Sequence, residues 1–393
     1  MLLFLGVCIP ATITFNLGSL VLTPLRIVSF YLFLVSAPYV LNTWSKNRVL
    51  KYLDILVLIH VLWAYIAMMK NHGLGEGIEG GGFYTVDFLP FYMLGRLIGL
   101  NSNYVKVFAK AVLIVAGFLL PFALIECIWG INLIKELLGQ PTDFFEQRMG
   151  LNRTYSSFSH PILFGMFSSS LLGMLWFSLP GNKKVLSIII LLLCTLTALS
   201  SAPILMFFFQ LSLVVWGALM KNNPRKWKLV LWGSVSAILF IEILSPAGFI
   251  RWVIVNMTFN SQTGYYRLLI WEFGSAEAWR HPIFGIGYHD WVRPGYMNND
   301  TVDNFWLLQS MRYGLPSTIS LISVLLASVI AVSKSQLEEW KSIKQGWIIS
   351  IVGFVIVGMT VHLWSSAFSI FALMIGIGVS IGFRRPNSNI RTN

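Results

Sequence analysis

Apolar residues fall in about twelve runs separated by polar links, near 2–21, 25–42, 51–69, 83–100, 108–129, 160–179, 184–200, 202–220, 228–245, 313–333, 346–362 and 365–383. Each run is roughly 17 to 25 residues long, the length an α-helix needs to cross the hydrocarbon core of a bilayer. The pattern predicts an all-α polytopic membrane protein of about twelve transmembrane helices, a single integral membrane domain over residues 1–393. The run 83–100 holds Asp87, Pro90 and Arg96, so it reads as a tilted or partly re-entrant segment packed on protein rather than lipid. The link Gly73–Gly82, with Glu76 and Glu79, reads as flexible spacing, and its negative charge argues against a phosphate nest. No internal repeat is visible, whereas many secondary transporters have one.

Charge sorts the links. Lys46–Lys51, Lys106 with Lys110, Lys183–Lys184, Lys221–Lys228, Lys334–Lys344 and the tail from Arg384 are every second connection, which marks them as cytoplasmic and both termini with them. The first run lacks a basic segment before it, its first cation being Arg26, and reads as an uncleaved first helix. The alternate connections face outward. Two of them are long, 130–159 and 246–312, and their Trp, Tyr, Phe and Arg content predicts ordered, partly helical structure in the larger one.

Composition agrees: 56% hydrophobic residues, 11% charged and a mean hydropathy of +0.72 lie outside the range of soluble domains. The net charge of +12 belongs to the membrane-side lysines, and without a basic helix or an aromatic–basic module it does not predict nucleic-acid binding. Cys8, Cys127 and Cys194 all sit in apolar runs and read as small core residues.

The candidate chemistry is in the outward loops, where basic residues are normally scarce. Arg148 and Arg153 lie in the first; Arg251, Arg267, Arg280, Arg293 and Arg312 lie in the second, which has no lysine. Guanidinium grips phosphate oxygens through two parallel hydrogen bonds, so the loops predict an anionic ligand. Thr263–Arg280 reads as an amphipathic helix along the membrane face with Arg267 and Trp271 on one edge; the plainer alternative is an interfacial aromatic belt. His281-Pro282 ends it, Gly285 and Gly287 permit a turn, and His289, Asp290 and Arg293 follow. Gly285-x-Gly287 is no dinucleotide fingerprint, since no strand precedes it.

His160, His281, His289 and His362 match no zinc spacing, so no metal is expected. Glu272, Asp290 and Asp303 can each act as a general base, or each can simply neutralise a neighbouring arginine. In the first loop, Arg148 and Arg153 run into a helix opened by Pro161, and two arginines beside free helix amides make a phosphate subsite.

Arg267 with Trp271, His281-Pro282-Ile-Phe-Gly285-Ile-Gly287 and Asp303-Asn304-Phe-Trp-Leu-Leu-Gln-Ser-Met-Arg312-Tyr-Gly314 together resemble the large periplasmic loop of the O-antigen ligase and polymerase superfamily. Phe158-Ser-His160-Pro161 and Leu199-Ser200-Ser201 also resemble its patterns. The resemblance implies a GT-C-like membrane glycosyltransferase of the bacterial inner membrane that needs no metal or other cofactor. Its substrates would be a glycan donor and acceptor carried on undecaprenyl pyrophosphate, with a chain-length regulator and a flippase as possible partners. Ligases resemble a His-Asn-x9-Gly pattern, whereas Asp303 stands here before Asn304 and Gly314. That departure favours a polymerase over a ligase that transfers to lipid A core.

On this reading Arg267 and Arg280, helped by Arg148, Arg153 or Arg312, hold the pyrophosphate. Asp303 activates the acceptor hydroxyl, with His289 or Asp290 as second choices, and His281, Asn304 and Trp271 give support. Aromatics such as Trp291, Trp306 and Tyr288 would stack on sugars or anchor the loop. The rival class is a lipid-linked oligosaccharide transporter, which should place ionisable groups near the membrane midplane; Glu126, Glu242 and Asp54 are the few candidates.

Overall fold

The computed structural model describes residues 6–17, 20–144, 147–245, 248–249, 251–252, 261–335 and 338–383. Among them, eight helices are long and apolar enough to cross a membrane: Pro24–Lys46, Arg48–Ile98, Ser102–Trp129, Pro161–Ser178, Ser201–Leu219, Lys226–Leu244, Leu315–Lys334 and Ser365–Gly382. Lys183–Thr197 and Lys341–Val357 are shorter apolar helices on two of the expected runs. The protein is therefore a nearly all-α membrane protein, with eight candidate spans among the described residues against the about twelve expected.

The largest difference is at 48–98. The runs 51–69 and 83–100 and the link between them form one 51-residue helical element broken only at Gly73, where φ is 77° and ψ is −179°. Only glycine adopts that conformation cheaply. The two legs fold back antiparallel, since a Cβ built on Gly77 would lie 2.4 Å from Met69 Cα and one on Gly81 would lie 2.4 Å from the Tyr65 ring. The glycines read as flexible spacing instead let two helices touch, the role small residues take in membrane packing.

The run 83–100 does pack on protein. Buried Arg96 donates to both oxygens of Asp54 at 2.9 and 3.1 Å, and to Thr43 and Ser380. Tyr92 and Trp44 complete the Asp54 carboxylate at 2.6 and 2.8 Å. Against this leg lies the C-terminal helix Ser365–Gly382, and a Cβ on Gly95 would sit 2.0 Å from Leu373 O, one on Gly376 2.1 Å from Tyr92 O.

The expected first span is also different. Residues 1–5 and 18–19 lie outside the described set; Gly6–Cys8 are helical, and Phe15–Leu17 pairs antiparallel with Leu20–Leu22. Pro10 withholds a backbone donor and the branched Thr12, Ile13 and Thr14 favour extended backbone, so the helix stops. The run 160–179 becomes two abutting helices, Pro161–Ser170 and Leu172–Ser178.

Chain links gather at two ends of the bundle. At one, Asn47 Nδ2 donates to Phe383 O at 2.8 Å and Ser342 Oγ to Phe177 O at 2.5 Å. At the other lie the tip of the 48–98 hairpin and both long loops, and Ala11 N donates to Ser157 O at 3.0 Å. Within 130–159 only Leu133–Leu137 is helical, and Phe145 and Glu146 fall outside the described residues. Within 246–312 the helices Ser261–Arg280 and Phe305–Tyr313 form, and residues 248–249 and 251–252 are also helical; residues 246–247, 250 and 253–260 lie outside the described set.

Removing one partner of a buried, fully bonded ion pair strands a charge and typically costs about 3–5 kcal/mol. Arg96→Met is therefore expected to lower the thermal unfolding midpoint of the detergent-solubilised protein sharply, and adding Asp54→Asn should recover part of the loss. An Arg96→Met protein as stable as wild type would contradict the role given to this pair.

Candidate functional site

The second loop is positioned by its glycines. Gly285 and Gly287 both have φ of 63°, and Ile286 N and Gly287 N donate to Met311 O and Arg312 O at 2.7 and 3.0 Å. A side chain at Gly285 would strike Met311 O at 2.3 Å, and one at Gly287 would strike His72 Nε2 at 2.4 Å. Leu315 N donates to Pro282 O at 2.8 Å, so the His281–Gly287 turn clasps the end of helix Phe305–Tyr313. Asn304 caps that helix by accepting from Leu307 N at 3.0 Å, and Phe305 N donates to Gly358 O at 2.8 Å. Asp303, Asn304 and Arg312 are thereby fixed against the link before the C-terminal helix.

The first loop is held by a buried carboxylate. Glu126 accepts from Tyr155 N and Ser156 N at 3.2 and 2.9 Å, and Thr154 Oγ1 donates to Ala123 O at 3.1 Å. Arg148 Nη1 donates to Leu199 O at 2.8 Å. His160 Nδ1 accepts from Ile162 N at 3.1 Å, capping its own helix, which leaves the ring proton on Nε2.

These two loops meet. Arg267 is nine-tenths buried, with 10% of its side chain exposed, and stands 3.7 Å from Asp303, which is 45% exposed. Nε and Nη1 of Arg267 are buried and make no hydrogen bond of ordinary length among the described residues, Nε facing the Asp303 carboxylate at 3.7 Å. Burial, then the nearby charge of Arg148, pulls its pKa down against the opposing pull of Asp303. Partial burial raises the Asp303 carboxyl above its ordinary value, with Arg267 pulling it back. Burial first, then Arg153 and Arg148, lowers His160 to about 4. Arg267, Arg153, His160 and Asp303 thus form one cation-rich cluster around a buried guanidinium, with exposed Arg148 at its edge.

Trp364 borders it. Its ring lies 5.6 Å from that of His160 and 5.7 Å from that of His362, which it stacks on. Burial, then Arg312, lowers His362 to about 3. Beyond Trp364 opens a cavity of about 340 Å³ whose wall includes Arg312, His362 and Tyr288.

Other predicted site residues lie apart from the cluster. Arg280, half exposed, and His281 share the buried carboxylate of Glu277 at 2.7 and 3.4 Å. His289 Nε2 lies 3.0 Å from Asn71 O and its ring stacks on His72 at 4.3 Å, so it fastens the loop to the hairpin tip. Exposed Asp290 pairs with Arg293, whose hydrogen bond holds its carboxyl below the ordinary value. Trp271 packs with a second apolar cluster beneath helix Ser261–Arg280, where Trp291 also lies, and Glu272 faces Arg251 at 3.9 Å.

Sequence reasoning missed the pair Arg26 and Asp87, joined by two bonds of 2.9 Å on the cavity wall. Asp87 inside an apolar run was a usable signal, because a membrane carboxylate needs a partner. Gln309 and Trp364 gave no such signal, and only packing brings them to the cavity.

No family model matches the chain, and no curated protein matches it. A solved structure of a peptidoglycan synthase complex, described for its coordination of polymerization and crosslinking, has a chain 15% identical to this one. The superposition covers 84% of this chain and 96% of that chain with a TM-score of 0.42. At that level of similarity the functional reading rests on the residues themselves.

His160 and His362 have folded-state pKa values of about 4 and about 3, below the ordinary 6.5. Between those values and 6.5 the unfolded chain binds more protons than the folded one, so stability is fully present above 6.5 and falls as pH drops through the window. Unfolding midpoints measured stepwise from pH 7.5 to 4.5 should decline below about 6.5. His160→Gln with His362→Gln should flatten that decline; an unchanged slope would show that these imidazoles do not carry it.

Proposed function

We propose that this protein is a membrane glycosyltransferase that lengthens a polysaccharide, an O-antigen or exopolysaccharide polymerase using glycan on undecaprenyl pyrophosphate. The observation that carries this reading is Arg267: a nine-tenths buried guanidinium with two nitrogens that make no hydrogen bond of ordinary length among the described residues, 3.7 Å from Asp303 and within reach of the charge of Arg148. A buried cation left with donors to spare is costly unless an anion completes it.

A pyrophosphate leaving group supplies that anion. The acceptor hydroxyl attacks the anomeric carbon of the donor sugar, the carbon–oxygen bond to pyrophosphate breaks, and the electron pair departs with the pyrophosphate. Negative charge therefore grows where Arg267, Arg148 and Arg153 stand. Preplaced cations stabilise that state more than the ground state. Asp303 takes the hydroxyl proton; its raised pKa brings it closer to the range in which a carboxylate serves as base. A direct displacement of this kind inverts the anomeric carbon. Arg280 has its charge met by Glu277, and Arg312 lies on the cavity beyond Trp364, so the clamp is assigned to Arg267, Arg148 and Arg153. The long loops face the periplasm in this scheme, and the segment Val7–Ala11, bonded to Ser157 of the first loop, lies on that side with them, so the cytoplasmic N-terminus expected from the charge pattern is not part of it.

Arg267→Lys should impair polymer formation almost as much as Arg267→Ala, because a point charge cannot reproduce the guanidinium fork. The check is a gel profile of surface polysaccharide from a deletion strain carrying each variant. Loss of the long ladder with single repeat units retained is the expected result. Near-normal polymer from the lysine variant contradicts the clamp, and long polymer accumulating on the lipid carrier would mean transfer to another acceptor instead.

A further inference from the structure

The phosphate clamp leaves the cavity beyond Trp364 without a use. Its volume of about 340 Å³ is within the roughly 300–1,000 Å³ typical of small-molecule sites. Aromatic rings make much of the wall: Tyr84, Phe368, Phe83, Tyr288 and Trp364. Tyr84 and Phe368 are themselves packed ring to ring at 5.1 Å, so that side is rigid.

Set among the rings are polar groups held in fixed directions. Gln309 donates through Nε2 to Tyr84 Oη and to Ser317 Oγ, both at 2.8 Å, which occupies its amide hydrogens and leaves Oε1 as the end that can accept. Behind them His60 Nε2 lies 2.7 Å from Tyr84 Oη, so the amide cannot turn without breaking a buried chain. On another side, Arg26 and Asp87 neutralise each other through two bonds of 2.9 Å, with 18% and 15% of their side chains exposed. Rigid aromatic faces suit the apolar C–H faces of a pyranose, and fixed planar hydrogen-bonding groups suit its equatorial hydroxyls.

The charge balance narrows the ligand. Asp87 answers Arg26, and His362 is kept neutral by burial and by Arg312. Arg312 lies 5.0 Å over the ring of Tyr288 and is bridged to no carboxylate among the described residues. One guanidinium charge is in excess in an aromatic-walled space.

We propose that this cavity is a saccharide subsite in which a pyranose lies against the aromatic wall, Gln309 and the Arg26–Asp87 pair meet its hydroxyls, and Arg312 meets the carboxylate of an acidic sugar. The proposal rests on the glycosyltransferase reading and adds to it the class of sugar presented beside the phosphate clamp. Trp364, with His160 on one side and His362 on the other, divides the two compartments.

Saturation-transfer NMR on the intact protein in nanodiscs, with methyl glucuronide and methyl glucoside as probes, tests it. The glucuronide should bind about tenfold tighter, the ratio given by one charge-assisted bond of about 1.4 kcal/mol. Arg312→Gln should remove that preference while leaving weak binding of both sugars. Trp364→Ala should weaken both, with Trp364→Phe retaining them as the control for folding. No saturation of either sugar, or saturation indifferent to both Arg312→Gln and Trp364→Ala, overturns the proposal. So does binding of inorganic phosphate that depends on Arg312 in the absence of any sugar signal. Pyrophosphate binding is measured in parallel: its loss in Arg267→Ala but not in Arg312→Gln tests the clamp alone. Failure of the clamp with sugar binding intact, or the reverse, therefore shows which of the two readings is wrong.

Discussion

The bundle is organised around the buried Asp54–Arg96 pair. Two opposite charges removed from water persist only where the remaining donors and acceptors are met, and here three elements supply them. Trp44 and Thr43 come from helix Pro24–Lys46, Tyr92 from the second hairpin leg and Ser380 from the C-terminal helix. The close glycine contacts at Gly95 and Gly376 bring the C-terminal helix near enough for Ser380 to reach Arg96 and to donate to its carbonyl at 2.6 Å. This junction sets how the 48–98 hairpin stands, and the hairpin tip in turn carries His72 and Asn71, against which the second loop is fastened.

Polar groups at the opposite end answer a different constraint. There the cations are crowded: Arg267 is buried with only Asp303 near it and donors to spare among the described residues, Arg148 lies near enough to depress it, and His160 is kept neutral by burial beside Arg153 and Arg148. Such an arrangement is costly without an anion and effective with one, because a desolvated cation interacts more strongly than a hydrated one. Glu126 and the glycine turn at 285–287 have a shared task, to bring two loops distant in sequence to one place and hold them without freedom to relax.

Much of this was legible along the chain. Long apolar runs imply membrane helices, since a backbone in lipid must satisfy its own hydrogen bonds. His281-Pro282 ends a helix at Arg280, and Gly285 and Gly287 take the positive φ their sequence suggested. Arginine without lysine in the second loop pointed to the stretch that holds Arg267 and Arg312. The hairpin was illegible because glycine-rich sequence is compatible both with a flexible spacer and with tightly apposed helices; only the partner across Gly73 decides. The grouping of arginines was equally hidden. Arg280 and Arg267 share one helix and one residue type, yet Glu277 turns one aside while burial leaves the other short of partners.

By itself the sequence determined that this is a membrane-embedded, helical chain with guanidinium-rich loops, because hydropathy, helix-breaking residues and side-chain chemistry are local properties. Only the tertiary structure decided which of those guanidinium groups share a compartment, that Arg26 finds Asp87, and that Trp364 stands between the arginine cluster and an aromatic cavity. Proximity and desolvation arise from packing between distant segments, and no single stretch of chain contains them.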